Sequence, residues 1–382
     1  MFDLNNKTFN NIVSPTVSGE EAVDFNAVNI NTYNNLSPLF KALIVSTNNG
    51  GKYALKVIDK DKGFYFNYRE GGLSIKVPLT AIFNTNDKIR GILGVAFSSA
   101  KFCPSRSRGL CQLDSPELCY AYTGERQGSK KSYNYLMGMG SYLNALLSEY
   151  YFKLFYQDAE VRHTFYRYCN YYNIDTLRFN LKGDFKDTAD IRCIEYMADM
   201  GLNLTGYTAR DDLRPYLLDM INKHDNIILN GSNIMYTNQF RAVNSILEYL
   251  TAENQCLGGC LKNGCLNCYK LHDALITVLI HGKEAGVDLK TADNIHFLTW
   301  LFKQAELPIT TADFKSGKNL FNNIKNAFKK HDLYAEVPDY FLKLTKKGNI
   351  VFDSQSAIIQ YLRHLIRTNN INLNQYRGIN NE

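Results

Sequence analysis

Four of the chain's nine cysteines crowd into thirteen residues, "CLGGCLKNGCLNC" at 256–268. Cys256, Cys260, Cys265 and Cys268 stand there as C-x3-C-x4-C-x2-C. In a reducing cytoplasm, clustered thiols are more often metal ligands than disulfides. A zinc ribbon usually parts its two pairs by about 15–20 residues, which allows two hairpins to converge on one ion. The stretch from Cys260 onward instead has the C-x4-C-x2-C spacing that plant-type ferredoxins wrap around an iron–sulfur cluster. Gly258, Gly259 and Gly264 supply the backbone freedom that so tight a loop needs. The expected metal is therefore an iron–sulfur cluster, with zinc as the alternative. Cys103, Cys111 and Cys119, spaced C-x7-C-x7-C, form a second group that could build another site or join the first. Cys169 and Cys193 fall within helical patterns and read as small core residues.

A second set of polar residues stands at strand ends. "LRFNLKGD", "LNLTGYTAR" and "NIILNGS" are apolar runs closing on Asp184, on Thr208 with Arg210, and on Ser232. Ligands of parallel sheets bind beyond the carboxyl ends of strands, where loop amides and helix N-termini converge. These four residues are the candidate catalytic groups, Arg210 to hold negative charge and Asp184 to move protons. As simpler roles, Asp184, Asp211 and Ser232 could cap the following helices, and Arg210 could pair with Asp211 or Asp212. The seven histidines do not cluster; His272 and His281 lie nearest the cysteines and could substitute as ligands. Walker, dinucleotide-binding, zincin and nucleophile-elbow motifs are absent.

The elements that must position these groups follow from periodicity. Residues 174–251 alternate strand and helix three times, with "TADIRCIEYMADM", "DDLRPYLLDMINKH" and "NQFRAVNSILEYLTA" as the helices. Crossovers of that length imply parallel strands, and so an α/β core that is either a partial barrel or an open sheet. Residues 1–100 read as β-rich, with "GFYFNY" and "GLSIKVPL" among the strands, and 133–170 as long helices. The expected divisions are 1–100, a β/α core with cysteine loops at 101–282, and a helical domain at 283–382. In the last, "LKLTKKGNIVF" reads as a hairpin that could make it a winged helix. With 45% hydrophobic residues a sizeable core is expected, and a net charge of +6 permits an anionic partner without the surplus typical of nucleic-acid binders. No apolar run reaches the ~18 residues of a membrane span, and "MFDLNNKTFNNIVS" lacks a leader's basic and apolar regions. The expected setting is cytoplasmic.

The segments "GVAFSSAKFCP", "LCYAYTG", "LRFNLKGDF", "GYTAR", "NIILNGS" and "GGCLKNGCLNCYK" occur in the order shown by the phage gene product 88 family of bacteriophages, archaeal viruses and mobile elements. The resemblance covers about residues 95–270. Position by position it marks Cys103, Cys119, Gly183, Asp184, Phe185, Tyr207, Thr208, Arg210, Ser232 and the four clustered cysteines. It implies a viral or mobile-element setting, in the host cytoplasm, and no defined activity. "YTAR" carries an alanine where the family pattern is Tyr-Thr-Arg. The Cys-Tyr-Ala loop before β/α units also resembles radical SAM enzymes, although their C-x3-C-x2-C triplet is missing here. The expectation is thus a cysteine-ligated, iron–sulfur α/β protein, with enzymatic action on a small anionic substrate left open. The alternative is a zinc-stabilised nucleic-acid-binding or regulatory protein, with contact through the C-terminal domain.

Overall fold

A computed structural model describes residues 64–70, 73–83, 92–111, 133–256, 267–280 and 285–379. The chain divides into two compact units, Met1–Thr237 and Asn238–Glu382.

In the first unit, β1 (Tyr65–Glu70) and β2 (Leu73–Pro78) form an antiparallel hairpin in which Tyr65 pairs with Pro78. Next come a two-residue strand, β3 (Leu93–Gly94), and a single turn of helix, α1 (Pro104–Ser107). Two longer helices follow, α2 (Tyr133–Gln157) and α3 (Ala159–Tyr171). The β/α units are β4 (Thr176–Phe179), α4 (Thr188–Asp199), β5 (Asn203–Thr208), α5 (Arg214–Lys223) and β6 (Ile227–Ser232). β3, β4, β5 and β6 lie side by side in that order and are parallel, with Leu177 opposite Leu204 and Leu204 opposite Ile227. The α/β class expected from the sequence is the one observed. Helix starts follow local chemistry: Asp158 and Asp187 each accept a backbone N–H of the first turn of α3 and α4. The core is rich in aromatic rings, with Phe97, Phe152, Phe155, Phe165, Phe179 and Phe185 fully buried. Burying each such ring stabilises by about 2–3 kcal/mol.

The second unit opens with β7 (Asn238–Val243), α6 (Ile246–Thr251), β8 (Asn254–Gln255), α7 (Asn267–Lys270) and β9 (Ala274–Leu279). β9 lies between β7 and β8, parallel to both. The helix expected over "NQFRAVNSILEYLTA" is therefore half a strand. Asn238–Val243 extends along β9, and only from Ile246 does the chain coil. Ser245 marks the boundary, accepting from the Glu248 amide; a Ser-x-x-Glu N-terminus was present in the sequence and outweighed by the apolar spacing. The remainder is mainly helical: α8 (Ala285–Asp288), α9 (Ala292–Gln304), α10 (Leu320–Lys330), the hairpin of β10 (Leu342–Leu344) and β11 (Ile350–Phe352), α11 (Gln355–Thr368) and α12 (Leu373–Ile379). The hairpin expected over "LKLTKKGNIVF" is present. Among the described residues no helix is long and apolar enough to cross a membrane.

Candidate functional site

β4 ends at Phe179, and the next five residues turn the chain sharply. Asn180 and Gly183 both take left-handed backbone angles, φ 51° and 66°. Gly183 also runs against Ser98 so closely that a Cβ would fall 2.2 Å from Ser98 Oγ. Only glycine meets both conditions. The turn carries Asp184 back beneath the strand ends, where it is 4% exposed.

Five donors close around this one carboxylate. Ser105 Oγ donates to Oδ2 at 2.6 Å and the Ala209 amide to the same oxygen at 2.8 Å. Thr208 Oγ1, the Phe185 amide and Asn180 Nδ2 donate to Oδ1 at 2.8, 2.8 and 3.1 Å. Ser98 Oγ completes the clasp, donating to the Asp184 carbonyl at 2.9 Å and accepting its amide at 3.2 Å. Burial prevails and raises the Asp184 pKa above the ordinary carboxylate value, while hydrogen bonds from Ser105, Ala209, Thr208 and Phe185 act the other way. The helix after β4 is capped by Asp187, so Asp184 has no capping duty. The backbone amide of Ala209, within "YTAR", is one of the five donors.

Arg210 lies 1% exposed beside this network. Its Nε and Nη2 grip the Asp212 carboxylate at 2.7 and 2.8 Å, and Nη1 donates to the carbonyls of Phe185 and Lys186. The bidentate contact holds the Asp212 carboxyl below its ordinary range. Tyr236 Oη donates to the Arg210 carbonyl at 3.0 Å, and the Arg210 amide donates to Thr208 Oγ1 at 3.1 Å. Asp184, Thr208 and Arg210 are thus brought together as the strand-end rule predicts. Their hydrogen-bonding capacity is spent inside the protein, tying the 98–105 segment, the β4 turn and the β5 end to one another. Ser232, at the end of β6, is half-buried and makes none of these bonds. Ser98, Ser105 and Asn180 were missed as network members; a polar residue directly after an apolar strand, as Asn180 is, was the available signal. Asn180 Oδ1 is buried and meets no donor among the described residues.

Cys103 stands at the entrance of α1, two residues before Ser105. Backbone N–H groups of Ser105 and Arg106 reach its sulfur, and both Asp184 and Cys111 lie within electrostatic range. Burial, followed by the Asp184 charge, pushes its thiol up to about 12, so without a metal Cys103 keeps its proton and is not an activated nucleophile. Ser105 also orders Cys111, since the Leu110 and Cys111 amides both donate to its carbonyl, at 2.8 and 3.3 Å. Cys119 lies outside the described residues.

In the second unit, two cysteines bracket the ends of the tetracysteine loop. Cys256 follows β8 directly; its amide donates to the Thr277 carbonyl at 2.7 Å and its carbonyl accepts Tyr249 Oη at 2.9 Å. Cys268 is buried in α7. Beyond it, Asn238 bridges the turn into β9, donating to the Leu271 carbonyl at 2.7 Å and accepting the Ala274 amide at 3.1 Å. Cys260, Cys265 and His281 lie outside the described residues, and His272 is exposed. All six described cysteines are free thiols, and Cys169 and Cys193 are core residues as expected. The donors fit a thiophilic metal in kind. Each group contributes two thiols, and among the described residues no three His, Cys, Asp or Glu side chains come together as a cage.

No family model matches the chain, and no curated protein or solved structure is significantly similar to it.

Proposed function

We propose that the chain is a cysteine-ligated metal protein of viral or mobile-element origin, acting in the host cytoplasm, with an iron–sulfur cluster as the metal. The observation that carries this reading is the placement of Cys103. An unbridged, half-buried thiol at the carboxyl end of parallel strands has Cys111 on the same ordered turn and is propped by Ser105, itself hydrogen-bonded to Asp184. The pinned ends of the 256–268 loop support it, because they hold Cys256 and Cys268 in place. Cys103, Cys111 and Cys119 would form one ligand set and Cys256, Cys260, Cys265 and Cys268 the other. When bound, a cluster supplies an electron-carrying or Lewis-acidic centre. The chain's own residues position it: Asp184 holds the loop that presents Cys103 through Ser105 and Ser98, and Arg210 braces the β4 turn behind it, as buried and internally paired groups rather than substrate-facing ones.

Anaerobic purification tests this. Brown protein absorbing near ~400 nm is expected, with iron and sulfide both lowered in Cys103→Ser/Cys111→Ser and in Cys256→Ser/Cys268→Ser. Colourless protein with stoichiometric zinc replaces the cluster by the alternative metal. Wild-type protein free of any metal overturns the reading.

A second reading, a nucleic-acid-binding or regulatory protein whose cysteines hold zinc, is favoured by where the charge lies. Residues 285–379 contain thirteen Lys and Arg against eight Asp and Glu, a surplus of five in a chain whose total is +6. Steep loss of nucleic-acid affinity with rising salt is the expected signature.

A further inference from the structure

The basic surplus has a definite place in the second unit. Helix α10 buries Phe321, Ile324, Ala327 and Phe328 and turns Asn322, Asn326 and Lys329 outward along one stripe. Lys330 is committed to the buried Asp313 carboxylate at 2.7 Å, whereas the stripe residues have no side-chain partner among the described residues.

The β10–β11 hairpin projects beside this helix. Its base is rooted in the core through Leu342 opposite Phe352, which is fully buried. One pair further out, on the same face, Leu344 and Ile350 stand opposite each other with 70% and 51% of their surface exposed. Tyr340, just before the hairpin, is 68% exposed. The face that packs on the core therefore continues past it into solvent. Lys346 and Lys347 form the tip, where the Gly348 amide donates to the Thr345 carbonyl at 2.9 Å. Helix and hairpin are neighbours: the Phe328 ring of α10 packs on Phe352 of β11 with centroids 5.1 Å apart, and the half-buried Lys325 amine on the adjoining edge of α10 is pushed down by burial and then by the charge of Lys343 on β10. Acidic groups stand at the hairpin's base, Asp353 pairing with Lys343 at 3.4 Å, and Asp339 beside Tyr340; the tip carries none.

We propose that the outer stripe of α10 and the tip of the β10–β11 hairpin form one surface that binds duplex DNA. The inference rests on the nucleic-acid reading and does not depend on which metal the cysteines hold. Lysines gathered without acidic partners match a phosphate backbone. Asparagine and lysine on an exposed helix face are side chains that reach base edges in the major groove, and B-form DNA admits a helix there. A-form RNA has a major groove too narrow for side chains to read, so the helix favours DNA. Leu344 and Ile350 then lie against the sugar edge that flanks the lysine contacts.

Fluorescence anisotropy of the full chain with a labelled DNA duplex, across a salt series, tests the surface. Wild-type protein binds, with affinity falling steeply as salt rises. Lys346→Glu/Lys347→Glu binds at least about tenfold more weakly at fixed salt and loses about 2 from the log–log salt slope. Lys329→Glu weakens binding further, while Lys153→Glu, a charge reversal on the exposed side of α2, leaves it unchanged. Far-UV circular dichroism checks that each variant is folded; Lys346→Gln/Lys347→Gln, with about half the effect, replaces the charge reversal if that variant is not. Binding undiminished in the folded hairpin variants overturns this surface while leaving the nucleic-acid reading intact. Absence of duplex binding at low salt overturns both. Binding to duplex RNA or anionic vesicles as tight as to duplex DNA overturns the DNA assignment.

Discussion

At the scale of single residues, Asp184 organises more of the first unit than any other described side chain. Its two oxygens accept five hydrogen bonds from three separate segments. Removing a buried acceptor leaves its donors desolvated, which costs more than the bonds themselves contribute. Asp184→Ala is expected to destabilise the first unit by about 3 kcal/mol or more, read as a lowered urea midpoint. Asp184→Asn keeps the shape but turns a donor toward donors, and is expected to recover less than half of that loss. If Asp184 served a substrate instead, stability would change little and the measurement would show it.

At the scale of elements, the cysteine loops depend on how neighbouring turns are pinned. Asn238 sits at the first position of β7 and uses its amide group to hold the Leu271 carbonyl and the Ala274 amide across the turn into β9. Asn238→Ala leaves both groups unsatisfied. A loss of about 2 kcal/mol is expected, together with faster hydrogen exchange at Ala274. Unchanged exchange at Ala274 would contradict this role. The strand–helix boundary at Ser245 shows the same principle: apolar residues at 240, 243, 246, 247 and 250 fit a helical face, and pairing with β9 claimed the first half of them.

At the scale of the whole molecule, two buried carboxylates give the two units opposite responses to pH. Asp190, on α4, is 5% exposed, and burial raises its pKa to about 7, with Lys186 acting the other way. Between the ordinary value of 3.8 and about 7 the folded state keeps a proton that the unfolded chain releases. Its stability contribution is therefore full below that window and lost as pH rises through it. Asp313, in the second unit, is buried, which alone would raise its pKa; hydrogen bonds from Lys330, Thr310 and His331 prevail and lower it. Its contribution is present above the ordinary carboxylate value and lost as pH falls through the depressed one. Amide protection factors, which remove the intrinsic pH dependence of exchange, are expected to fall around Ile191–Met197 on going from pH 4 to 8, and around Phe321–Phe328 on acidification below pH 4. Asp190→Asn should flatten the first trend and leave the second.

The α/β class, the first two strand–helix units after residue 174, the β10–β11 hairpin and the strand-end positions of Asp184, Thr208 and Arg210 were all determined by the sequence alone. These depend on local periodicity and on the alternation of apolar runs with polar turn residues, which act over a few residues. What the tertiary structure decided is where those polar groups point. Asp184 and Arg210 have the residue types of a substrate site, yet the left-handed turn at Asn180 and Gly183 and the approach of Ser98 and Ser105 direct them inward. Ser98 and Ser105 lie 86 and 79 residues from Asp184 along the chain, and no local pattern carries that pairing. The extended conformation of Asn238–Val243 was likewise set by β9, a strand more than thirty residues away. Propensity acts within a turn or two, whereas sheet pairing and burial of a charged group are satisfied only once distant segments have met.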